Sequence, residues 1–133
     1  MTGAPAGRRA GGAATPAISV IVPVYNGEAV LARCLLPLVA FLLYGEIAEV
    51  IVVDDGSTDA SARVASDAGP GVRVVSLPPE GAGAARNRGV AETRSPWVAF
   101  LDADDRWLPR KLRLQRDAVL ATPGAVACTG SIR

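Results

Sequence analysis

Three carboxylates crowd the end of one short apolar run: Phe100-Leu101-Asp102-Ala103-Asp104-Asp105, preceded by Pro96-Trp97-Val98-Ala99. The run reads as a buried strand that empties into acids at its carboxyl edge. In open α/β sheets that edge is where ligands bind. Carboxylates packed this closely beside apolar residues need a partner for their charge. A divalent cation is the natural one, and a cation held by hard oxygens commonly brings phosphates with it. A second run, Glu49 to Val53, leads in the same way into Asp54-Asp55-Gly56-Ser57-Thr58-Asp59. Of that pair, one acid is expected to anchor the loop through backbone N–H groups and the other to face a ligand. Asp59 reads as a helix cap.

The elements that must position these acids alternate between strand and helix. Ala17 to Val24 is a β-branched first strand, apolar on both faces as a central parallel strand is, and Pro23 marks its end. Tyr25-Asn26-Gly27 turns into a helix from Glu28 to about Tyr44, where Glu28 suits the first turn. Pro37 is expected to kink or split that helix. Its half from Cys34 to Tyr44 is apolar nearly all round, which fits either a buried helix or a face that meets a partner or a membrane surface. A helix from Ala60 to Ala68, a third strand Val72 to Leu77 and a helix Ala84 to Thr93 follow. An amphipathic helix, Arg110 to Leu120, opens after Pro109, and Ala125 to Ile132 begins a further strand. The pattern predicts an α/β fold, a Rossmann-like three-layer sandwich with a mostly parallel sheet. Both acidic strand ends should then share one rim.

Composition narrows the chemistry. The 133 residues suffice for one modest domain. Residues 1–16 read as a disordered leader and 17–133 as the domain. A formal net charge of +1 argues against a nucleic acid as partner. The sequence has no histidine, which removes Ser-His and Cys-His nucleophile pairs and His-ligated zinc. No apolar stretch reaches the roughly 20 residues of a transmembrane helix. Cys34 and Cys128 form no CxxC and read as buried, reduced thiols of a cytoplasmic protein. Gly81 and Gly83 do not make a dinucleotide fingerprint, because the third glycine would fall at Arg86. Arg86 and Arg88 are candidates for a diphosphate.

Four segments taken together carry a resemblance: Ile18 to Asn26, Val50 to Asp59, Gly83 to Gly89, and Phe100 to Asp105 with Leu108-Pro109 and Lys111-Leu112 behind. The chain resembles the amino-terminal, nucleotide-sugar-binding half of a family 2 glycosyltransferase of the GT-A fold. That resemblance implies a nucleoside-diphosphate sugar, often a uridine one, as partner, and Mg²⁺ or Mn²⁺ as cofactor. It implies that Pro23, Tyr25, Asn26 and Glu28 line the nucleoside pocket and that Asp55 hydrogen-bonds the base. Asp102 is then near the ribose, Asp104 binds the metal and Arg86 lies close to the nucleotide. An inverting member of the family also needs a carboxylate base beyond the D-x-D segment. No acid follows Asp117, so the expectation is a truncated unit whose acceptor half comes from elsewhere. Other readings are a non-catalytic nucleotide-sugar-binding fragment and a nucleotidyltransferase. The expected location is the cytoplasm, with the inner face of the membrane as a contact.

Overall fold

The computed structural model describes residues 2–3, 16–122 and 124. In chain order the elements are β1 (Thr2–Gly3), β2 (Ile18–Val24), α1 (Glu28–Leu43), β3 (Glu49–Asp55), α2 (Ser61–Ser66), β4 (Val72–Leu77), α3 (Ala82–Glu92), β5 (Trp97–Phe100) and α4 (Lys111–Ala121). The sheet runs β1-β5-β2-β3-β4. β2 pairs in parallel with both β3 and β5, and β3 pairs in parallel with β4. β1 adds a short antiparallel edge, Thr2 opposite Val98 and Gly3 opposite Trp97. That pairing falls within residues 1–16, where the sequence alone predicts a leader and no strand. The segments expected to hold a last strand, Ala125 to Ile132, and the second cysteine, Cys128, lie outside the described residues.

From β2 the chain winds one way to β3 and β4, then crosses back to place β5 on the other side of β2. The order therefore reverses between β2 and β5, and a crevice opens above their carboxyl ends. Every residue of β2 is buried, as expected of a central strand apolar on both faces, and its one polar side chain, Ser19, is hydrogen-bonded to Glu49 and Ser95. Alternate residues feed two cores. Ile18, Val20, Val22, Val50, Val52, Trp97 and Ala99 pack with Leu31, Leu35 and Leu38 of α1, Ala65 of α2, and Leu112 and Val119 of α4. Ile21, Ile51, Val53 and Val98 face the other way, with Ala85 of α3. The result is the three-layer sandwich. α3 lies close because Gly89 has no side chain: a Cβ there would sit 2.4 Å from Ile21 Cγ2.

Three boundaries differ from expectation in ways that matter to the site. β3 continues through Asp54 and Asp55, which pair with Ser76 and Leu77 of β4; the ladder outlasts the apolar run because β4 supplies partners that local sequence does not reveal. α3 begins at Ala82, two residues early, so Gly83 is helical and not part of a loop. α1 is a single helix and is not split, although Pro37 lies within it. Proline removes one donor to the carbonyl four residues back, that of Arg33, which lies on an exposed turn where water can replace it.

Candidate functional site

The β2–α1 turn and the β3–α2 turn are laced together. Asn26, at φ 49°, is in the left-handed region, which asparagine tolerates better than most residues. Its Oδ1 accepts the amides of Thr58 (2.8 Å) and Asp59 (3.3 Å), and its own amide donates to Ser57 Oγ at 2.9 Å. The first amides of α1, orphans by helix geometry, also find acceptors across this seam. Gly27 donates to Ser61 Oγ (2.9 Å) and Glu28 to Asp59 Oδ2 (3.1 Å). Glu28 Oε2 in return accepts the amide of Ala60 at 3.3 Å. Asp59 lies one residue before Ala60, the N-cap of α2, so it is not itself the cap residue, but it accepts the first helical amides of both α2 (Ser61) and α1 (Glu28). Its hydrogen bond from the Ser61 hydroxyl, then those from backbone amides, hold its carboxyl below the usual range.

The two acids at the end of β3 are both buried and both anchor backbone. Asp54 Oδ1 accepts the amide of Ser57 at 3.1 Å, closing the turn at Gly56. Asp55 reaches the loop before α3: Oδ1 accepts from Glu80 (2.8 Å) and Oδ2 from Gly81 (2.9 Å). Gly56 itself, at φ +74°, runs so close beneath that loop that a Cβ would meet Pro79 N at 2.8 Å.

The third acidic segment forms a turn closed by the amide of Asp105 on the carbonyl of Asp102, 3.0 Å. Ahead of it, Leu101 donates to Ile21 O at 3.0 Å and is buried. Behind it, buried Trp107 stacks tilted on Phe41 of α1, centroids 6.2 Å apart, a contact worth about 1 kcal/mol. Beneath it, Cys34 Sγ of α1 donates to the carbonyl of Asp102 at 3.6 Å. Burial, and then the negative charge of Asp105, Asp104 and Asp102, push the Cys34 thiol up to about 12. The thiol is therefore protonated and available as a donor.

These turns frame one cleft of about 420 Å³, lined by Pro23, Tyr25, Asn26, Asp55, Arg86, Asp102 and Asp104, with Val24, Gly27, Val30, Ala82 and Ala103 filling between them. Arg86 Nη2 lies 2.8 Å from Asp102 Oδ1. Both side chains are partly exposed, so the pair adds little stability; its weight is in orientation. One oxygen from each of Asp102, Asp104 and Asp105 falls within 4.8 Å of the others. That is a hard-oxygen donor set on a scale a divalent cation can bridge.

Of the residues singled out in the sequence, Pro23, Tyr25, Asn26, Asp55, Arg86, Asp102 and Asp104 come together. Glu28 does not: its carboxylate is turned to Ala60, away from the lining. Arg88 is a correction. It points along the helix to Glu92 at 2.8 Å, at the far end of α3, where Arg73 also holds Glu92 at 3.0 Å. Helical spacing makes Arg88 and Glu92 neighbours and leaves only Arg86 on the cleft. Sequence reasoning gives Gly27 only as a turn residue, Cys34 only as a buried thiol and Val30 no role; no local pattern marks a cysteine in an apolar helix as the support of a turn 68 residues on. Among the described residues, no helix is long and apolar enough to cross a membrane.

Known proteins resemble this chain in sequence and in fold. Succinoglycan biosynthesis protein ExoO of Rhizobium meliloti is 39% identical over 100 residues, 74% of this chain and 28% of that protein. Glycosyltransferase GlyA of Streptococcus pneumoniae is 42% identical over 94 residues, 68% of this chain and 13% of its own. The chain thus spans less than a third of the length of these curated relatives. Among solved structures, S. aureus TarS 1-349 in complex with UDP-GlcNAc superposes with a TM-score of 0.69 at 29% identity, covering 79% of this chain and 31% of that one. The M. tuberculosis glucosyl-3-phosphoglycerate synthase gives 0.58 at 35% identity, over 67% and 35%. The model of the family described as Glycosyl transferase family 2 matches residues 19–133. With that match, an α/β sheet of the kind these enzymes carry and acids gathered at its crossover, the chain belongs to glycosyl transferase family 2.

Proposed function

We propose that residues 17–133 form the donor-binding part of a glycosyltransferase, which takes a nucleoside-diphosphate sugar for transfer of the sugar to an acceptor hydroxyl. The observation that carries this reading is the cleft at the strand crossover, which Asp55 and Arg86 line together with Asp102 and Asp104 of the acidic turn. The UDP-GlcNAc bound by TarS supports a uridine-type donor. In this reading Pro23, Tyr25 and the Asn26 backbone form one wall for the nucleoside, and Asp55 the other. Arg86 meets the diphosphate and holds Asp102 toward the ribose.

The carboxylates fit Mg²⁺ or Mn²⁺, with Asp104 as the principal ligand. When bound, such an ion neutralises the charge that grows on the departing diphosphate. The acceptor half and its base, which the family's inverting members need, are supplied from outside this stretch, consistent with its share of the relatives' length. Leu36, Leu43 and Tyr44 are exposed along α1 and support a surface that meets that half or the inner face of a membrane, which keeps the chain cytoplasmic in this reading.

Calorimetric titration of UDP into the chain, with and without Mn²⁺, tests the proposal. Binding that strengthens with the ion and disappears in Asp104→Ala is the expected result. Metal-independent binding, or affinity for nucleoside triphosphates above that for UDP, overturns it in favour of a plain nucleotide module or a nucleotidyltransferase.

A further inference from the structure

The acidic turn is gripped from underneath as well as along the chain. The carbonyl of Asp102 accepts two donors: the amide of Asp105 at 3.0 Å, which closes the turn, and Cys34 Sγ at 3.6 Å. Cys34 is 1% exposed and sits in the middle of α1, between Leu31 and Leu38, which are also buried. α1 is the helix whose first turn is tied to the β3–α2 loop through Gly27 and Glu28. One rigid helix therefore touches both walls of the cleft, the nucleoside side at its start and the acidic turn a little under two turns later. We propose that Cys34 is a positioning residue: its thiol fixes the Asp102–Asp105 turn so that the Asp102 and Asp104 carboxylates are presented to the cleft in ligand geometry.

A valine or alanine would fill that place in the core as well. What the thiol adds is a donor aimed at the one carbonyl on which the turn closes. Outer partners of metal ligands are worth about 10–100-fold in metal affinity. A thiol is a weak donor and acts here through the backbone, so the expected effect is at the lower end, about tenfold.

The inference rests on the proposed metal and nucleotide reading, and two separate measurements keep their failures apart. The first is hydrogen exchange of the Asp105 amide in the metal-free chain, compared with Ile51 and Val52 amides in β3. The second is Mn²⁺ affinity in the presence of UDP, read by electron paramagnetic resonance. In Cys34→Ala, the Asp105 amide is expected to exchange several-fold faster while β3 is unchanged, and Mn²⁺ affinity to fall about tenfold. Cys34→Ser, which restores a donor on a shorter arm, is expected to recover part of both. Unchanged Asp105 exchange and unchanged affinity overturn the inference. Faster exchange through β3 in step with Asp105, or a serine variant no better than alanine, shows that Cys34 only fills the core and also overturns it. Wild-type chain that binds neither Mn²⁺ nor UDP sinks the functional reading itself and, with it, any metal-positioning role.

Discussion

Replacing Asp55 by alanine separates two jobs that one carboxylate could do. The structure uses both oxygens to hold the amides of Glu80 and Gly81, at 2.8 and 2.9 Å. A hydrogen bond to a charged group contributes about 1.5–3 kcal/mol when the donor is left without water. Glu80 and Gly81 are exposed, so water recovers much of each bond and about 1 kcal/mol apiece is the better figure. The loss of about 2 kcal/mol corresponds to a fall in Tm of about 8 °C for a domain of this size. Asp55→Asn keeps one acceptor oxygen and should lose about half as much. The same loop leads into Ala82 and Arg86 on the cleft, so UDP affinity should drop together with Tm. Thermal melting by circular dichroism, with no nucleotide present, is the assay. If Asp55→Ala melts within about 1 °C of wild type, the anchoring argument is refuted. Reduced uridine binding would then have to come from a direct contact with the base.

Other outcomes follow from the same geometry. Gly89→Ala puts a methyl group 2.4 Å from Ile21 Cγ2; overpacking of about 1–3 kcal/mol should exceed the roughly 1 kcal/mol gained in helix propensity, giving a lower midpoint in urea. Arg86→Ala should weaken UDP more than uridine, because the guanidinium at Asp102 faces the diphosphate in the proposed pose; equal losses measured by calorimetry would place it at the base instead. Asp59 and Glu92 are held below their ordinary values of 3.8 and 4.5, by the Ser61 hydroxyl and by Arg88 with Arg73. Carboxyls lowered by folding add stability above their unfolded values and lose it as pH falls through the folded ones. Tm should therefore decline on acidification below about pH 4.5, and Asp59→Asn should flatten part of that slope. Cys34 works in the opposite direction: a thiol raised from 9.0 to about 12 makes folding less favourable as pH climbs above 9.0. Peptide mapping after iodoacetamide treatment should find Cys34 unmodified in the native chain and modified after denaturation.

Much of the architecture could be read from the residues because the central strands are so one-sided in composition. Ile18 to Val24 and Val50 to Val53 have no polar face to disguise them, and acids at their ends mark the rim. The resemblance added the grouping of Tyr25, Asn26, Asp55, Arg86, Asp102 and Asp104, and the cleft contains all six. What escaped depended on contacts between distant segments. Asp54 and Asp55 read as lying just past the strand, before the turn, because nothing near them announces that β4 extends the ladder. Glu28 and Arg88 belong to segments that reach the cleft, and only the structure shows that their side chains bond Ala60 and Glu92 and do not line it. The apolar second half of α1 reads alike whether it faces core or surface; the structure divides it, with Leu38 buried and Leu43 exposed.

Asn26 has a consequence for anyone who would re-engineer the nucleoside wall proposed above. Its side chain is spent on the amides of Thr58 and Asp59, while Asp59 and Ser61 reach back to the amides of Glu28 and Gly27. Residues 25–28 and 57–61 are thus a single transplantable cassette. Swapping one segment from a homologue without its counterpart would leave four amides and an asparagine mismatched, and the wall of the cleft would lose its support.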